Sequence, residues 1–220
     1  MMKRKIYIAP SLLAANKDHL HDEIRLVESL GSEYIHWDIM DNVFVPNIAL
    51  NSDQLRKNYN IHKMVNDVHI MVINPLDYAK EFIEAGADLI TFHIEATKDE
   101  KEVLSLINFI HSKGVKVGIS IKPKTEPEAV LKYLDKIEIV LVMSVEPGFG
   151  GQKFMPNALD KISQLRNYID EHKLNCLIEV DGGINDITGQ ECIKAGVDIL
   201  VAGSYLFGHE DIKERIEKLR

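Results

Sequence analysis

Short apolar runs alternate with amphipathic stretches along almost the whole chain. Eight of these runs are nearly continuous in apolar residues, which is typical of strands buried on both faces of a parallel sheet. The predicted strands are Ile6–Ser11, Tyr34–Met40, Lys63–Met71, Leu89–His93, Lys116–Ile121, Ile137–Ser144, Cys176–Asp181 and Ile199–Ala202. The predicted helices are Asp18–Leu30, Asn51–Asn60, Pro75–Ala85, Asp99–Lys113, Glu126–Leu134, Pro156–His172, Ile187–Ala195 and Glu210–Leu219.

The helical segments carry start and stop signals. Pro75 suits a first helical turn. Glycine follows four segments in the position of a C-cap, at Gly31, Gly86, Gly114 and Gly196. The pattern Ala-Gly-Ala-Asp-Leu-Ile at 85–90 recurs as Ala-Gly-Val-Asp-Ile-Leu at 195–200, which indicates repeated helix–glycine–strand units. The weakest helical patterns are Asn51–Asn60 and Glu126–Leu134.

Eight β runs alternating with helical runs favour an α/β fold with a parallel sheet. No linker rich in Pro, Gly or Ser interrupts the series, so we expect one domain over residues 1–220. The expected fold is a (β/α)8 TIM barrel with its active site at the C-terminal ends of the strands. An open sheet is the alternative, but closure is the usual outcome for eight units. The length of 220 residues and the hydrophobic share of 45% fit such a domain.

Composition narrows the classes of partner and the location. The net charge is −8 without a basic cluster, which argues against a nucleic-acid partner. The two cysteines, Cys176 and Cys192, predict packed thiols rather than a disulfide framework. The start Met1–Lys5 is basic, but only a short strand-like run follows it, so we expect no signal peptide. With no run of 18 apolar residues, we expect a cytoplasmic protein without a membrane partner. We also expect a homo-oligomer, because homo-oligomers are common among soluble enzymes.

Polar residues interrupt the apolar pattern at the C-terminal ends of the predicted strands, where a barrel has its active site. The first strand ends at Ser11, the fourth at His93, and the second carries His36, Asp38 and Asp41. Charges in otherwise apolar strands cost several kcal/mol unless they are paired or bound to metal. We therefore expect a common partner at this end of the sheet.

Strand alternation predicts which of these side chains meet. His36 and Asp38 are two residues apart and share one face of the second strand. If that face points into the barrel, both converge with His69 and Asp181 from two other strands. Two imidazoles and two carboxylates form a set for one divalent metal ion, zinc first, with iron, manganese or cobalt also compatible. For the histidines outside the predicted strands we expect ordinary surface or packing roles. They are His19, His21, His62, His111, His172 and His209.

Two further groups of residues lie at the same end of the strands. Met40, Met71 and Met143 either fill the core or form a polarisable wall around a reactive intermediate, and periodicity does not separate these readings. Glycine-rich loops follow the last three strands and predict a phosphate site, because glycine lets backbone N–H groups approach a ligand closely. The loop residues concerned are Gly148, Phe149, Gly150 and Gly151, then Gly182 and Gly183, then Gly203 and Ser204.

At these residues the chain resembles the ribulose-phosphate 3-epimerase family, and the match covers nearly its whole length. The matching segments are 10–13, 36–41 with 44–47, 67–72, 93–96, 143–145, 147–152 and 180–184. The resemblance implies a barrel with a divalent metal on His36, Asp38, His69 and Asp181. It also implies that Asp38 and Asp181 are the acid/base pair, that Ser11 and His69 contact substrate, and that the glycine loops hold the phosphate.

The resemblance implies inversion at C3 of D-ribulose 5-phosphate to give D-xylulose 5-phosphate, a step of the pentose phosphate pathway. A proton must leave C3 and return on the opposite face through an enediolate, which explains the need for two aspartates. The chain departs from the family pattern at Asn51 and Ser52, at Lys122 and at Glu146. These departures keep a ketohexose-6-phosphate (D-allulose 6-phosphate) 3-epimerase open as an alternative.

Three other readings compete with an epimerase. A decarboxylase resembling orotidine-phosphate decarboxylase would need Asp-x-Lys at a strand end, but Asp38 is followed at that spacing by Met40. A Schiff-base aldolase would need a strand-end lysine, for which only Lys122 qualifies. A barrel that binds sugar phosphate without turnover should have lost site residues, whereas all four predicted ligands are present.

Overall fold

The computed structural model describes residues 4–220, so the first three residues of the basic start lie outside the described part. Eight strands are present in that part, and each lies inside a predicted one. They are β1 (Tyr7–Pro10), β2 (Tyr34–Met40), β3 (Val65–Met71), β4 (Leu89–His93), β5 (Lys116–Ile121), β6 (Ile139–Met143), β7 (Leu177–Asp181) and β8 (Ile199–Ala202).

All eight strands belong to one sheet in the order β1-β8-β7-β6-β5-β4-β3-β2, and every pairing is parallel. From β2 to β8 each strand pairs with its sequence neighbour, and β1 pairs with β8. A parallel bridge between Ser11 and His36 joins β1 to β2 and brings the two ends of the sheet together. The predicted (β/α)8 barrel is confirmed over the open sheet, and the barrel is nearly closed.

Seven α-helices surround the barrel in residues 4–220. They are α1 (Leu20–Ser29), α2 (Ser52–Asn58), α3 (Pro75–Ala85), α4 (Glu100–Ser112), α5 (Asn157–His172), α6 (Asp186–Ala195) and α7 (Ile212–Lys218). The weakly predicted α2 forms because Asn51 and Gln54 make a reciprocal capping box at its start. No helix in residues 4–220 is both long and apolar enough to cross a lipid bilayer.

The predicted helix Glu126–Leu134 is wrong. Two short 3-10 turns, Pro127–Ala129 and Leu131–Tyr133, occupy the segment. Val130, Tyr133 and Leu134 are buried at spacings that imitate a helical face. However, Val130 has φ −118°, which breaks helical continuity between the two turns.

The core has two main parts, beside two small clusters of three buried residues each. The larger part lies between the sheet and the helices, and both cysteines are buried there as free thiols. The smaller part fills the N-terminal end of the barrel interior with apolar residues such as Tyr34, Leu89 and Ile139. Towards the C-terminal ends of the strands the interior becomes polar, so the barrel presents a buried polar layer at one end only.

Candidate metal centre and active site

Three strands bring four metal-ligating side chains together at the C-terminal end of the barrel. β2 carries His36 and Asp38, β3 carries His69 and β7 carries Asp181. The sheet register places His69 beside Asp38. One ligand atom of each residue lies within 4.8 Å of the others. The alternation along the strands predicts this grouping, because residues two apart share the face that points inward.

Two imidazole nitrogens in this cluster have no hydrogen-bond partner. His36 Nε2 and His69 Nδ1 are both buried, and neither is hydrogen-bonded within the described residues. They lie 3.7 and 3.8 Å from the same atom, Asp38 Oδ1. A buried polar atom without a partner is unfavourable, and native structures rarely leave one. Two nitrogens and a carboxylate oxygen around one point fit a divalent cation of the zinc type.

The outer nitrogen of His36 is held by Asp67. His36 Nδ1 donates to Asp67 Oδ2 over 2.6 Å, so Nε2 is the ring nitrogen that faces the cluster. Burial by itself would lower the pKa of His36, but the carboxylates of Asp67 and Asp38 raise it well above its ordinary value. An outer carboxylate of this kind orients metal-bound histidines and increases their basicity.

His69 has a different outer partner. Its Nε2 lies 2.9 Å from His93 Nε2, and His93 Nδ1 lies 3.2 Å from Glu95 Oε2. Burial lowers the pKa of His93 to about 4, so its ring is neutral at pH 7. Burial is also the largest cause that lowers the pKa of His69. Both His69 and His93 are 0% exposed.

The two aspartates of the cluster have pKa values that diverge. Burial raises the pKa of Asp181 to about 7, and the nearby charge of Asp38 adds to the rise. Burial opposes ionisation of Asp38 too, but His36, His69 and the Ser11 hydroxyl lower its pKa below the ordinary value. Ser11 Oγ donates to Asp38 Oδ2 over 2.6 Å. Two carboxylates with separated pKa values are the usual arrangement for acid/base work at one carbon.

A cavity of about 560 Å³ opens above the cluster. Ser11, Asp38 and Asp181 line it together with the three methionines predicted at this level, Met40, Met71 and Met143. The predicted loop residues line its other end, namely Gly148, Phe149, Gly150, Gly151, Gly182, Gly183, Gly203 and Ser204. His69 does not line the cavity in the described part of the chain, since it is fully buried and faces the cluster through Nδ1.

The glycine loops need glycine for a steric reason at Gly183. This residue has φ +62°, and a Cβ there would lie 2.5 Å from the backbone nitrogen of Phe154. The Ser144 hydroxyl donates its proton to the carbonyl oxygen of Gly182, 2.6 Å away, and lies 2.9 Å from that of Asp181, which fixes the loop. Within residues 4–220, the backbone N–H groups of Gly183, Gly203 and Ser204 make no internal hydrogen bond. These N–H groups are free donors at the end of the cavity that the glycine loops line, as an anion site requires.

The departures from the family pattern lie away from the cavity. Asn51 caps α2, and Ser52 Oγ donates to Glu81 Oε1. Lys122 Nζ lies 3.7 Å from the centroid of the Phe44 ring, so its amine is engaged outside the cavity. The carbonyl of Glu146 accepts from Gln152. None of the departing residues lines the cavity in the described chain.

Sequence reasoning missed several partners of this site. Asp67, Glu179, His93 and Glu95 were not predicted as site residues, although two of them contact a predicted ligand histidine directly. Asp67 precedes His69 by two residues, and Glu179 precedes Asp181 by two. That spacing is a usable signal, because it places each residue on the inward face one layer deeper.

Comparison with known proteins identifies the family. The model of the "Ribulose-phosphate 3 epimerase family" matches residues 7–207. A ribulose-phosphate 3-epimerase of Mycobacterium tuberculosis is 41% identical over 213 residues, covering 97% of this chain and 91% of the relative. That of Bacillus subtilis is 39% identical and covers 98% of both chains. The chloroplastic ribulose-5-phosphate-3-epimerase of Arabidopsis thaliana is 39% identical, covering 99% of this chain and 77% of the relative.

Solved structures agree with the fold. A 3-hexulose-6-phosphate synthase superposes with a TM-score of 0.71 at 16% identity, covering 98% of this chain and 97% of that one. The tryptophan synthase A-subunit of Pyrococcus furiosus gives a TM-score of 0.71 at 14% identity, covering 100% and 99%. At such identities the likeness concerns the barrel alone. The family match and the three relatives, by contrast, cover nearly the whole sequence, and the chain belongs to the ribulose-phosphate 3-epimerase family of enzymes.

Proposed function

We propose that this protein inverts C3 of D-ribulose 5-phosphate to give D-xylulose 5-phosphate, the reaction that the names of its relatives indicate, as a step of the pentose phosphate pathway. The observation that carries the proposal is the pair Asp38 and Asp181, which line the cavity together: the pKa of Asp38 is lowered and that of Asp181 is raised to about 7. The active site lies at the C-terminal ends of the strands of one barrel domain.

The two aspartates divide the proton transfers. Asp38 has a lowered pKa, so it is ionised at pH 7 and takes the C3 proton. Asp181, whose pKa burial raises to about 7, returns a proton to the opposite face of C3. In the reverse direction the roles exchange. The Ser11 hydroxyl holds Asp38 in place through the 2.6 Å hydrogen bond to Oδ2.

The enzyme depends on a divalent metal ion in this proposal. His36 Nε2, His69 Nδ1 and the carboxylates of Asp38 and Asp181 would hold it, with zinc first and iron, manganese or cobalt also compatible. When bound, such an ion supplies Lewis-acid stabilisation of the negative charge that develops on the substrate oxygens. The unpartnered imidazole nitrogens support the proposal independently of any relative.

The far end of the cavity holds the phosphate. The free N–H groups of Gly183, Gly203 and Ser204 bind its oxygens, and the loop from Gly148 to Gly151 covers it. Binding energy from this remote group orients C3 between the aspartates. Met40, Met71 and Met143 are almost fully buried yet line the cavity, and they exclude water around the enediolate.

The ketohexose phosphate alternative gains no support from the site. The residues that depart from the family pattern do not line the cavity, so none of them enlarges the sugar end. Comparison of kcat/KM for D-ribulose 5-phosphate and D-allulose 6-phosphate tests the choice. We expect the pentose phosphate to be preferred; a preference for the hexose phosphate would overturn the assignment of substrate.

Turnover in heavy water tests the chemistry. Each epimerisation should introduce one solvent deuterium at C3 of the product, because the proton returned comes from an exchangeable carboxyl group. Mass spectrometry of recovered product measures this directly. Product without deuterium at C3 would exclude the two-aspartate scheme.

A further inference from the structure

The positions of His93 and Glu95 assign them a role beyond the metal ligands. We infer that His93 and Glu95 are positioning residues that fix the tautomer of His69, so that its Nδ1 lone pair faces the metal centre. The inference rests on the proposed function, because it concerns the metal site proposed there. It adds a link between that site and the loop that follows β5.

The direction of each hydrogen bond follows from counting protons. Glu95 Oε1 accepts from the backbone N–H of Lys122 at 2.7 Å and from Thr125 Oγ1 at 2.5 Å, and these bonds hold it as an acceptor. The other oxygen, Oε2, faces His93 Nδ1 at 3.2 Å, so Nδ1 carries the proton of the His93 ring. A neutral ring has one proton, which leaves His93 Nε2 as an acceptor.

The same proton count then determines which nitrogen of His69 carries the proton. Its Nε2 lies 2.9 Å from His93 Nε2, and two acceptors cannot share that distance, so His69 carries its proton on Nε2. The lone pair of His69 is therefore on Nδ1, the buried atom without a hydrogen-bond partner. The opposite arrangement would put a proton on Nδ1, pointing at the site 3.8 Å from Asp38 Oδ1, and would block a cation.

The two ligand histidines are thus held differently. His36 donates directly to the carboxylate of Asp67, over 2.6 Å, and needs no intermediate ring. His69 reaches the Glu95 carboxylate only through His93. Removal of either His93 or Glu95 should therefore affect the His69 tautomer and leave that of His36 unchanged.

Neighbouring loops hold the dyad of His93 and Glu95. The Phe44 ring packs on His93 with ring centroids 5.0 Å apart. Lys122 Nζ lies 3.7 Å from the centroid of the same Phe44 ring. The backbone of the same Lys122 donates to Glu95. Lys122, which departs from the family pattern, thus contacts Glu95 directly and His93 only through the Phe44 ring, and it does not line the cavity.

The test uses the chain of 220 residues and measures its metal affinity and the tautomer of His69 rather than turnover. Metal-free wild type, His93→Phe, His93→Gln and Glu95→Gln are titrated with Co²⁺ and followed by its visible absorption. Partners of metal-bound histidines typically contribute about 10- to 100-fold in affinity, and we expect His93→Phe to lose that much. His93→Gln keeps an acceptor for His69 Nε2 and should recover most of the loss. His111→Gln is the control, because His111 is exposed and its Nε2 pairs with Glu138 on the surface, away from the metal site.

Nitrogen-15 NMR of the metal-free protein reads the tautomer itself. We expect wild-type His69 to be protonated on Nε2, and His93→Phe and Glu95→Gln to show a mixture of tautomers. Unchanged tautomer and Co²⁺ affinity in both variants would overturn the inference. If His93→Phe does not fold, Glu95→Gln decides the question: unchanged tautomer and Co²⁺ affinity in that variant would overturn the inference.

The outcome also separates this inference from the proposed function. Wild type that binds neither Co²⁺ nor Zn²⁺ would refute the metal site, whereas the NMR measurement would still decide the tautomer. A wild-type His69 protonated on Nδ1 would refute the dyad even if the protein epimerises its substrate.

Discussion

Removal of metal should lower the thermal stability of this protein by a predictable amount. His36 Nε2 and His69 Nδ1 are buried without partners, and each such atom costs about 1–3 kcal/mol. The metal-free protein therefore has about 2–6 kcal/mol of unfavourable free energy at this point of the barrel. A cation that accepts both lone pairs removes that cost and binds the folded chain in preference to the unfolded one.

The expected shift follows from mass action. At a free metal concentration 100 times Kd, binding raises the free energy of unfolding by about 2.7 kcal/mol. For a chain of this size, 1 kcal/mol shifts Tm by about 2–4 °C. We therefore expect Zn²⁺ at that concentration to raise the Tm of chelator-treated protein by about 5–11 °C.

Scanning calorimetry measures this shift, with three chains compared under the same conditions. His69→Gln removes one ligand and should lose most of the shift, because the remaining ligands bind metal more weakly. His111→Gln changes an exposed histidine and should keep the full shift. The reasoning would be refuted if the Tm of the wild type rose by less than about 1 °C with every metal tested. It would also be refuted if the Tm of His69→Gln rose as much as that of the wild type.

Three further predictions concern the aspartates and the phosphate loop. Asp181→Asn should reduce kcat by about 10²- to 10⁴-fold, while the exposed Asp160→Asn should keep wild-type kcat in the same assay. Equal activity of the two variants would contradict the role of Asp181. Because the folded-state pKa of Asp181 is raised from 3.8 to about 7, its contribution to stability is complete below pH 3.8 and is lost as pH rises to about 7. Urea unfolding of chelator-treated protein at pH 5 and pH 8 should therefore show a smaller pH difference for Asp181→Asn than for wild type, and an identical difference would rule out this cause. Gly183→Ala should raise KM for the phosphorylated substrate, because its Cβ would lie 2.5 Å from the Phe154 nitrogen and would displace the phosphate loop. The control is Gly114→Ala, at a similar φ of +75° but with nothing within 4 Å of the added Cβ, and it should leave KM unchanged.

The strands and the convergence of four polar residues were predictable from the sequence, for a simple physical reason. Strands buried on both faces show up as apolar runs, and residues two apart share a face, so His36 and Asp38 had to point the same way. Parallel strands present their C-terminal ends at one rim of a barrel, which brought His69 and Asp181 to the same place. The hydrophobic periodicity predicted a helix that does not form at Glu126–Leu134, where residues buried at helical spacing lie on 3-10 turns.

The sequence by itself determined the barrel, the rim at which chemistry could occur and the types of side chain there. The tertiary structure alone decided which nitrogen of each histidine faces the cluster, since that depends on Asp67 and on His93 at hydrogen-bond distance. It also decided that Asp38 and Asp181 differ in pKa, because burial and neighbouring charges act through space. Alternation along a strand gives the face of a residue, but protonation is set by distances between strands that are far apart in the chain.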